Sequence, residues 1–438
     1  MSPIVLILAL NGLEMDRRVE NEARLLSSRG FDVTRVGIVS HEGQSELEET
    51  DCGRIVRMRP AWHKPASAEP PTSGDSLQPA RPLVRQWKPK VWLMTRIRRA
   101  WVPYRDSRRR IREWSRWSDE YVATCRALDP DAVIACDLDT LRAGVELKQI
   151  TGCALVYDMH ELWTEQRYHH YFTGYHKWVM RRRETRFLKR ADLIITVSKR
   201  FAADITKRWP AAEPLVVYSG TDVCNASSQT REEGRLRAYF QGSFTEDRGL
   251  EDIIGAMAYL KDSVTLSLQG FGPLESRLRE QVRDLGLAEN TVRFVRPCSP
   301  SDVGLCASEY DVGIVAGTLQ SLNARLTTPN RPFAYFAGGL AVITPASLEE
   351  IAEIVTEYEC GVVVQDDGPE PLARAVASLA QDREELARLK ANAARACEAF
   401  LWERQFGPVA EFVAASLEHR RMALTALSET KSEHEAAG

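Results

Sequence analysis

Several signatures of familiar protein classes are missing from this chain of 438 residues. The nine cysteines form no C-x-x-C pair and stand singly, mostly in apolar runs, which disfavours a metal site or disulfide framework and predicts reduced core thiols. No apolar run approaches the roughly 18–20 residues that a membrane span needs. The opening stretch, MSPIVLILALNG, lacks a basic segment and a cleavage site and predicts a buried strand rather than a signal peptide. These absences favour a cytoplasmic protein.

Catalytic motifs of fixed spacing are absent as well. The chain has no G-x-S-x-G elbow, no H-E-x-x-H pair and no Walker A loop. The first strand runs into LALNGLEMD, which lacks the G-x-G-x-x-G turn of nicotinamide enzymes. We therefore expect no resident cofactor and no metal ion.

Charge is distributed unevenly, although the formal net charge is only −3. Residues 81–117 hold thirteen Arg or Lys and two acids, and residues 176–190 hold seven Arg or Lys and one acid. The first of these segments also carries five tryptophans, at positions 87, 92, 101, 114 and 117. Segregation of this kind is typical of an interaction surface.

Short apolar runs alternate with amphipathic stretches twice along the chain, which predicts two parallel, doubly wound α/β sheets with a cleft between them. We place the first unit at residues 1–222 and the second at 235–400, followed by terminal helices at 401–438. Within the first unit, the proline-rich residues 60–82 predict a flexible insert. Residues 83–120 form the basic, tryptophan-bearing segment. Ligands of such sheets bind at the carboxyl ends of the strands, here in the cleft.

Three strand ends carry candidate binding residues. In YFQGSFTEDRGLEDII, a strand ends at Gly242 and Arg248 falls in the next helical turn, which suits a diphosphate but also fits an ordinary turn. LQGFGPLESRL places Gly270 and Gly272 where the backbone could approach a base or sugar, or simply form a tight turn. In YDMHELWTEQ, His160 follows an apolar strand, where it could bind a hydroxyl or phosphate, transfer a proton, or be structural.

Taken in order, these stretches resemble the retaining, nucleotide-sugar-dependent glycosyltransferases of family 4, which have the GT-B fold of two Rossmann-like domains. The stretches on which the resemblance rests include DRRVENEARLLSSRGFDV, VYDMHEL, ADLIITVSKRFAADI, FQGSFTEDRGLEDIIGAM, LTTPNRPFAYFAGGLAVIT and FLWERQF. They extend from about residue 4 to about residue 406. The resemblance implies that the first domain binds the acceptor, the second binds the donor, and the terminal helices cross back to the first domain.

The resemblance also implies roles for individual residues. His160 would face the donor sugar and Arg248 would contact the donor diphosphate, as the two candidate catalytic residues. Retention is attributed in this family to front-face attack assisted by the leaving phosphate, so no protein nucleophile is expected. The donor-binding candidates are Gly242, Ser243, Gly270, Phe271, Gly272, Asn330, Arg331 and Ala334. The acceptor-side candidates are Asn11, Gly12, Asp16 and Glu161.

The chain departs from the family pattern in the stretch TTPNRPFAYFAGG. Two glutamates eight positions apart are usual there, and the second holds the nucleotide ribose. Here those positions hold Leu326 and Ala334, Arg331 replaces the usual lysine, and Ser243 replaces a phosphate-binding arginine. Loss of a charge-assisted hydrogen bond costs roughly 1.5–3 kcal/mol.

Three functions stay open at this point: an active glycosyltransferase, a non-catalytic GT-B scaffold or regulator, and a nucleotide-sugar epimerase. The acceptor would be a polysaccharide, a glycolipid or a natural product. Residues 83–117 fit peripheral contact with the inner face of a membrane, and equally a helical hairpin with buried tryptophans. Nucleic acid fits the composition, but no accompanying motif supports it, and we expect none as a partner.

Overall fold

The protein is described here from a computed structural model. The structure describes residues 2–14, 16–64, 89–166, 172–221, 224, 234–260, 263–288, 290–299, 302–317 and 321–436, without the side chains of 89–103, 421 and 423–436. The predicted insert lies outside the described residues from position 65 onward, as does Trp87.

The first half of the chain builds a sheet of eight strands in the order β3-β4-β2-β1-β5-β6-β7-β8. All neighbours pair in parallel except β3 and β4. The strands are β1 (Ile4–Leu8), β2 (Asp32–Ile38), β3 (Leu47–Thr50), β4 (Gly53–Met58), β5 (Ala132–Cys136), β6 (Ala154–Met159), β7 (Leu193–Thr196) and β8 (Leu215–Val216).

Helices cover both faces of this sheet because successive side chains of a strand point to opposite sides. Val5 and Ile7 of β1 face one apolar cluster, whereas Leu6 and Leu8 face another that includes apolar side chains from residues 111–125, the C-terminal half of the long basic helix. The helices are α1 (Arg17–Ser28), α2 (Pro89–Cys125), α3 (Asp137–Thr151), α4 (Gly174–Leu188) and α5 (Lys199–Arg208).

The second half builds a sheet of six parallel strands in the order β11-β10-β9-β12-β13-β14. Its strands are β9 (Leu236–Gln241), β10 (Val264–Gln269), β11 (Val292–Val295), β12 (Val312–Ile314), β13 (Ala341–Pro345) and β14 (Gly361–Val364). Its helices are α6 (Leu250–Leu260), α7 (Glu275–Asp284), α8 (Val303–Ala307), α9 (Leu322–Leu326), α10 (Arg331–Gly338), α11 (Glu349–Glu357), α12 (Pro369–Gln381) and α13 (Arg383–Ala399). The prediction of two doubly wound α/β halves is confirmed.

A last helix, α14 (Trp402–Ala436), returns to the first sheet and contacts α1. Trp402 and Phe406 are buried in the same apolar cluster as Val5 and Ile7. At the crossing, the Thr221 backbone N–H donates to the Phe400 carbonyl at 3.0 Å, and the Trp402 N–H donates back to the Thr221 carbonyl at 2.8 Å. The two chain crossings between the domains therefore lie side by side.

The expectation that all nine cysteines are reduced is wrong for one pair. Cys224 and Cys397 form a disulfide, 173 positions apart in the chain. They meet because the outgoing linker and the end of α13 lie beside each other at the domain crossing, which the spacing of cysteines cannot reveal. The other seven cysteines are free thiols and are buried or half-buried.

Among the described helices, none combines the length and apolar character needed to cross a membrane. The basic segment forms the long helix α2, and two of its tryptophans, Trp114 and Trp117, are buried in the core of the first domain. Burial of these two side chains agrees with the buried tryptophans of the second alternative, but the described part of the segment is one continuous helix and not a hairpin.

Candidate functional site

A cavity of about 270 Å³ lies between the two domains and is lined by residues of both. Glu161 and Gln166, which follow β6, form part of its wall on the first domain. Arg248, just before α6, and Arg331, at the start of α10, form part of the opposite wall in the second domain. The structure thus brings together candidates that are far apart in the sequence.

Arg248 ends a short 3-10 turn, residues 246–248, just before α6. Gly249 follows with a φ of 64°, a left-handed conformation that glycine adopts most easily. The Arg248 Nε atom is buried without a hydrogen-bond partner among the described residues, and its nearest acid is Asp247, at 3.9 Å. This turn therefore places a cation at the cavity, and the Nε of that cation can still donate a hydrogen bond to a ligand.

Arg331 is the first residue of α10 and is only 5% exposed. Its guanidinium lies over the Phe240 ring, 4.4 Å from the centroid, and its Nη1 is buried without a partner within the described ranges. Burial and the neighbouring Arg248 charge lower its pKa to about 10. Two cations that repel each other thus share one wall, an arrangement that a polyanionic ligand would stabilise.

The neighbours of Arg331 offer little negative charge. Asn330 is exposed at the start of α10 and lines the cavity, whereas Ala334 is 1% exposed and packs in the core. Ser243 lies in the loop after β9 and is exposed. The departures from the family pattern therefore leave this donor segment cationic.

The glycines predicted to border a ligand also have a packing explanation. Gly242 and Gly270 both have positive φ, and a Cβ at Gly270 would overlap the Gly242 carbonyl oxygen. A Cβ at Gly272 would come within 2.5 Å of the Phe244 carbonyl oxygen. Phe271 between them is 62% exposed. Close approach of two loops requires these glycines, so their presence alone does not indicate a ligand.

On the opposite wall, His160 belongs to a buried ion-pair network. Its Nε2 lies 2.5 Å from Asp158 Oδ2, and its Nδ1 lies 3.8 Å from Asp137 Oδ2. The Arg18 guanidinium donates to both oxygens of Asp158, at 2.8 and 2.9 Å, and lies 3.4 Å from Glu22. Arg18, Asp158 and His160 therefore each have an opposite charge beside them, whereas both Glu22 oxygens are buried without a hydrogen-bond partner among the described residues, and burial raises the pKa of Glu22.

The network sets the ionisation of its members. Burial alone would lower the pKa of His160, but the carboxylates of Asp158 and Asp137 raise it to about 9. Burial would likewise raise the pKa of Asp158, but Arg18 and His160 hold it below its usual range. Burial raises the pKa of Asp137 to about 8. His160 is therefore an imidazolium at neutral pH.

Glu161, rather than His160, is the member of this strand end that lines the cavity. Both ring nitrogens of His160 face carboxylates, and its side chain is 18% exposed. The backbone N–H groups of His160 and Glu161 both donate to Asp137 Oδ1, at 3.0 and 3.1 Å. Asp137 thereby fixes the backbone that presents the Glu161 carboxylate.

The acceptor-side candidates shape the loop between β1 and α1. Asn11 donates to Asp16 Oδ2 at 2.7 Å, and Asp16 caps α1 by accepting from the Val19 N–H. The Gly12 carbonyl accepts from Arg57 at 2.8 Å, and a Cβ there would clash with the Ser40 hydroxyl. These contacts give all three residues a local structural role.

One group of side chains has the composition of a metal site. Ligand atoms of Cys136, Asp158 and His160 lie within 4.8 Å of one another. However, Arg18 already donates to both oxygens of Asp158, and burial raises the pKa of Cys136 well above its ordinary value, which disfavours the thiolate. We therefore interpret the group as part of the ion-pair network and place no metal on it.

Comparison with known proteins now identifies the family. The model of "Glycosyltransferase Family 4" matches residues 15–224, and that of "Glycosyl transferases group 1" matches residues 235–382. The chain belongs to the GT-B glycosyltransferases. Comparison with curated proteins gives no match.

Solved structures share the fold of this glycosyltransferase at low sequence identity. Sucrose-phosphate synthase (tll1590) from Thermosynechococcus elongatus is 15% identical, with a TM-score of 0.65 over 97% of this chain and 100% of that one. Anabaena Alr3699/HepE in complex with UDP and glucose is 16% identical, with a TM-score of 0.64 over 94% and 100%. A glycosyltransferase from Rickettsia africae ESF-5 is 11% identical, with a TM-score of 0.63 over 95% and 99%.

Sequence reasoning missed the residues that join the two domains of this glycosyltransferase. Asn323 of α9 lines the cavity, and its Oδ1 accepts from the Leu162 N–H across the cleft at 2.6 Å. Glu350 of α11 accepts from the Lys199 and Arg200 N–H groups, at 2.9 and 3.1 Å, at the start of α5. An acid at a helix N-terminus is favourable, but no local pattern reveals that the helix belongs to the other domain.

Proposed function

We propose that this glycosyltransferase moves a sugar from a nucleotide-sugar donor to an acceptor with retention of configuration. The observation that carries the proposal is the pair of cations, Arg248 and Arg331, in one wall of the interdomain cavity. Each has a buried nitrogen without a hydrogen-bond partner among the described residues. A diphosphate would fill that bonding capacity, and its charge grows as the glycosidic bond breaks, so the two cations would stabilise the transition state.

The identity of the nucleotide has indirect support. Anabaena HepE, which has the same fold, is described in complex with UDP and with UDP-glucose. We propose a uridine diphosphate sugar as the first donor to test. In the proposed reaction the acceptor hydroxyl attacks the anomeric carbon on the face that the diphosphate leaves, and the leaving phosphate takes the hydroxyl proton.

The first domain would supply the acceptor side of this reaction. His160, an imidazolium at neutral pH, would offer positive charge next to the donor sugar, and the loop of Asn11, Gly12 and Asp16 would border the acceptor. The donor-side loops at Gly242, Ser243, Gly270, Phe271 and Gly272 would border the nucleotide. Asn330 and Arg331 would face its phosphates, and Ala334 would underlie its ribose.

The test is a panel of UDP-, GDP- and dTDP-sugars, screened by thermal stabilisation and by release of the nucleoside diphosphate. We expect at least one donor to raise the melting temperature and to turn over slowly by hydrolysis. Arg248→Ala should weaken its binding about ten- to a hundredfold, since a charge-assisted hydrogen bond contributes roughly 1.5–3 kcal/mol. Arg325→Ala is the matched control, because Arg325 is exposed on α9 and does not line the cavity.

The panel also separates the other functions. A protein stabilised by no donor would be a scaffold or regulator rather than an enzyme. A protein that converts a donor into its epimer without an acceptor would be an epimerase. Transfer to a sugar or lipid-linked acceptor establishes the transferase, and the anomeric configuration of the product tests retention.

For the acceptor, we propose a lipid-linked sugar at an anionic membrane surface. Exposed aromatic side chains of α2 and α4 support this: Tyr104 and Tyr175 lie 5.0 Å apart, and Trp178 is 53% exposed. Arg182 lies over the Trp178 ring at 5.0 Å and Arg108 over the Tyr104 ring at 6.0 Å. Aromatic rings among cations favour the headgroup region of a membrane.

Vesicle co-sedimentation tests this surface. We expect binding to phosphatidylglycerol vesicles that weakens with salt, and little binding to phosphatidylcholine. Trp178→Ala should reduce it severalfold, whereas Tyr259→Ala, which removes an exposed aromatic from α6 of the other domain, should not. Equal binding by both variants would refute the assignment of this surface.

A further inference from the structure

The donor segment of the second domain, residues 321–339, carries no carboxylate, although several of its residues line the cavity. Leu326 and Ala334 occupy the two positions at which acids were expected, and Ala334 is sealed in the core. A ligand hydroxyl that finds no hydrogen-bond acceptor in the cavity disfavours binding. A donor bound here therefore needs a hydrogen-bond acceptor from elsewhere.

Glu161 of the first domain is placed to be that acceptor. It and Asp247 are the two acids that line the cavity among the described residues. Its carboxylate is held by the Gln166 amide, and its backbone is held by Asp137. Burial raises the pKa of its carboxyl, while His160 and Arg248 favour the ionised form. The carboxylate is thus fixed in position and faces a cation of the opposite domain.

The layout of the cavity indicates which part of a donor Glu161 would meet. On one side Arg331 approaches the Gly242 loop: its Nη2 would lie 3.7 Å from a Cβ added at Gly242. On the other side Arg331 lines the cavity. Neither Gly242 nor Gly270 lines the cavity. With the nucleotide on the Gly242 side and the diphosphate at the arginines, the space beside Glu161 is left for the sugar.

A hydrogen bond between the two domains holds Glu161 opposite the second domain. The Leu162 N–H, one residue after Glu161, donates to Asn323 Oδ1 at 2.6 Å. Asn323 is buried and also lines the cavity. If the domains separate, this bond breaks and Glu161 leaves the second domain. Asn323 is thus a positioning residue for Glu161.

We propose that Glu161 recognises the donor sugar, accepting hydrogen bonds from its hydroxyl groups across the domain cleft. The inference rests on the proposed function. Its consequence is that the nucleotide is held by the second domain alone, whereas the sugar is recognised only when Asn323 and Leu162 bring the domains together.

The experiment compares binding of UDP-glucose with that of UDP by isothermal titration calorimetry, with GDP-mannose and GDP run in parallel. Glu161→Gln should weaken binding of the nucleotide-sugar at least tenfold and that of its nucleoside diphosphate less than twofold. Asn323→Ala should also weaken binding of the nucleotide-sugar more than binding of the nucleoside diphosphate, by a smaller factor than Glu161→Gln does. Glu165→Gln is the matched control, because Glu165 pairs with Lys177 and Arg181 of α4 and does not line the cavity.

The possible outcomes discriminate clearly. Equal losses for nucleotide-sugar and nucleotide in Glu161→Gln, or no loss, would overturn the inference while leaving the proposed function intact. A wild-type protein that binds none of the four ligands would overturn both. An unchanged melting temperature of Glu161→Gln excludes misfolding as the cause of a selective loss.

Discussion

The two walls of the cleft differ in whether their buried charges are paired. On the first domain, Arg18, Asp158 and His160 form a chain of ion pairs with distances of 2.5–2.9 Å. On the second, Arg331 is equally buried but forms no ion pair with any described residue. Matched charges stabilise a fixed structure, whereas an unmatched buried charge costs free energy unless a ligand supplies the counterion. The comparison suggests that one wall is a scaffold and the other an anion-binding surface.

The largest expected effect comes from breaking the matched wall. Asp158→Ala removes the partner of both Arg18 and His160 and leaves two buried cations side by side. The free energy of unfolding should fall by about 3–5 kcal/mol, the usual cost of removing one member of a buried pair. Urea denaturation followed by circular dichroism measures this change.

A surface pair on the same sheet is the control for this prediction. Asp32 and Arg54 lie 3.2 Å apart with both side chains about 40% exposed. Asp32→Ala should lower the free energy of unfolding by less than about 1 kcal/mol, because water screens the pair. If both substitutions lower the free energy of unfolding by the same amount, the buried network does not stabilise the fold, and the two walls do not differ as argued above.

Most of the fold could be predicted from the sequence, because parallel strands buried on both faces are continuous apolar runs. For example, the apolar runs IVLILAL (4–10), AVIACD (132–137) and VRFV (292–295) each predict a strand, and they correspond to β1, β5 and β11 to within two residues at either end. The four-residue edge strand β3 was missed, since Leu47–Thr50 is polar and largely exposed. The five-residue helix α9 was missed because so short a segment has no periodicity to detect.

The candidate site could be predicted only in part. Strand ends pointed to Arg248 and to the stretch that holds His160 and Glu161, because parallel strands bring their carboxyl ends to one edge. Arg331 was implied only by the family resemblance. The inward orientation of His160 toward Asp158 and Asp137 could not be predicted, since the partners come from neighbouring strands. Contacts between the domains, such as that of Asn323, depend on a relative placement that no local pattern encodes.

A smaller effect should appear as pH dependence of the matched wall. The pKa of His160 is raised to about 9 by its carboxylates, so its contribution to stability is complete below about pH 6.5 and is lost as pH rises through 9. Asp137, with a pKa of about 8, acts in the same direction: burial keeps its carboxyl protonated in the folded protein, so stability is lost as pH rises from the ordinary carboxyl range up to about 8, and no further above it. Between pH 6.5 and 9.5 the free energy of unfolding should fall, with His160 contributing at most about 3 kcal/mol.

His160→Asn should flatten this profile and leave only the slope from Asp137. His419→Asn, at an exposed histidine of α14, should leave it unchanged. Denaturation curves at half-unit pH steps give the comparison. A wild-type profile that is flat from pH 6.5 to 9.5 would mean that His160 is not held by the two carboxylates.

The smallest effect on stability is expected at the unmatched wall, where the change should instead appear in binding. Arg331→Met keeps most of the aliphatic stem of the side chain and removes a buried cation that has no ion pair among the described residues, so the free energy of unfolding should stay within about 1 kcal/mol or rise. Affinity for the nucleoside diphosphate should fall about ten- to a hundredfold. Arg325→Met should change neither. If Arg331→Met destabilises the fold as much as Asp158→Ala does, Arg331 is a structural cation, and the donor phosphates must be held without it.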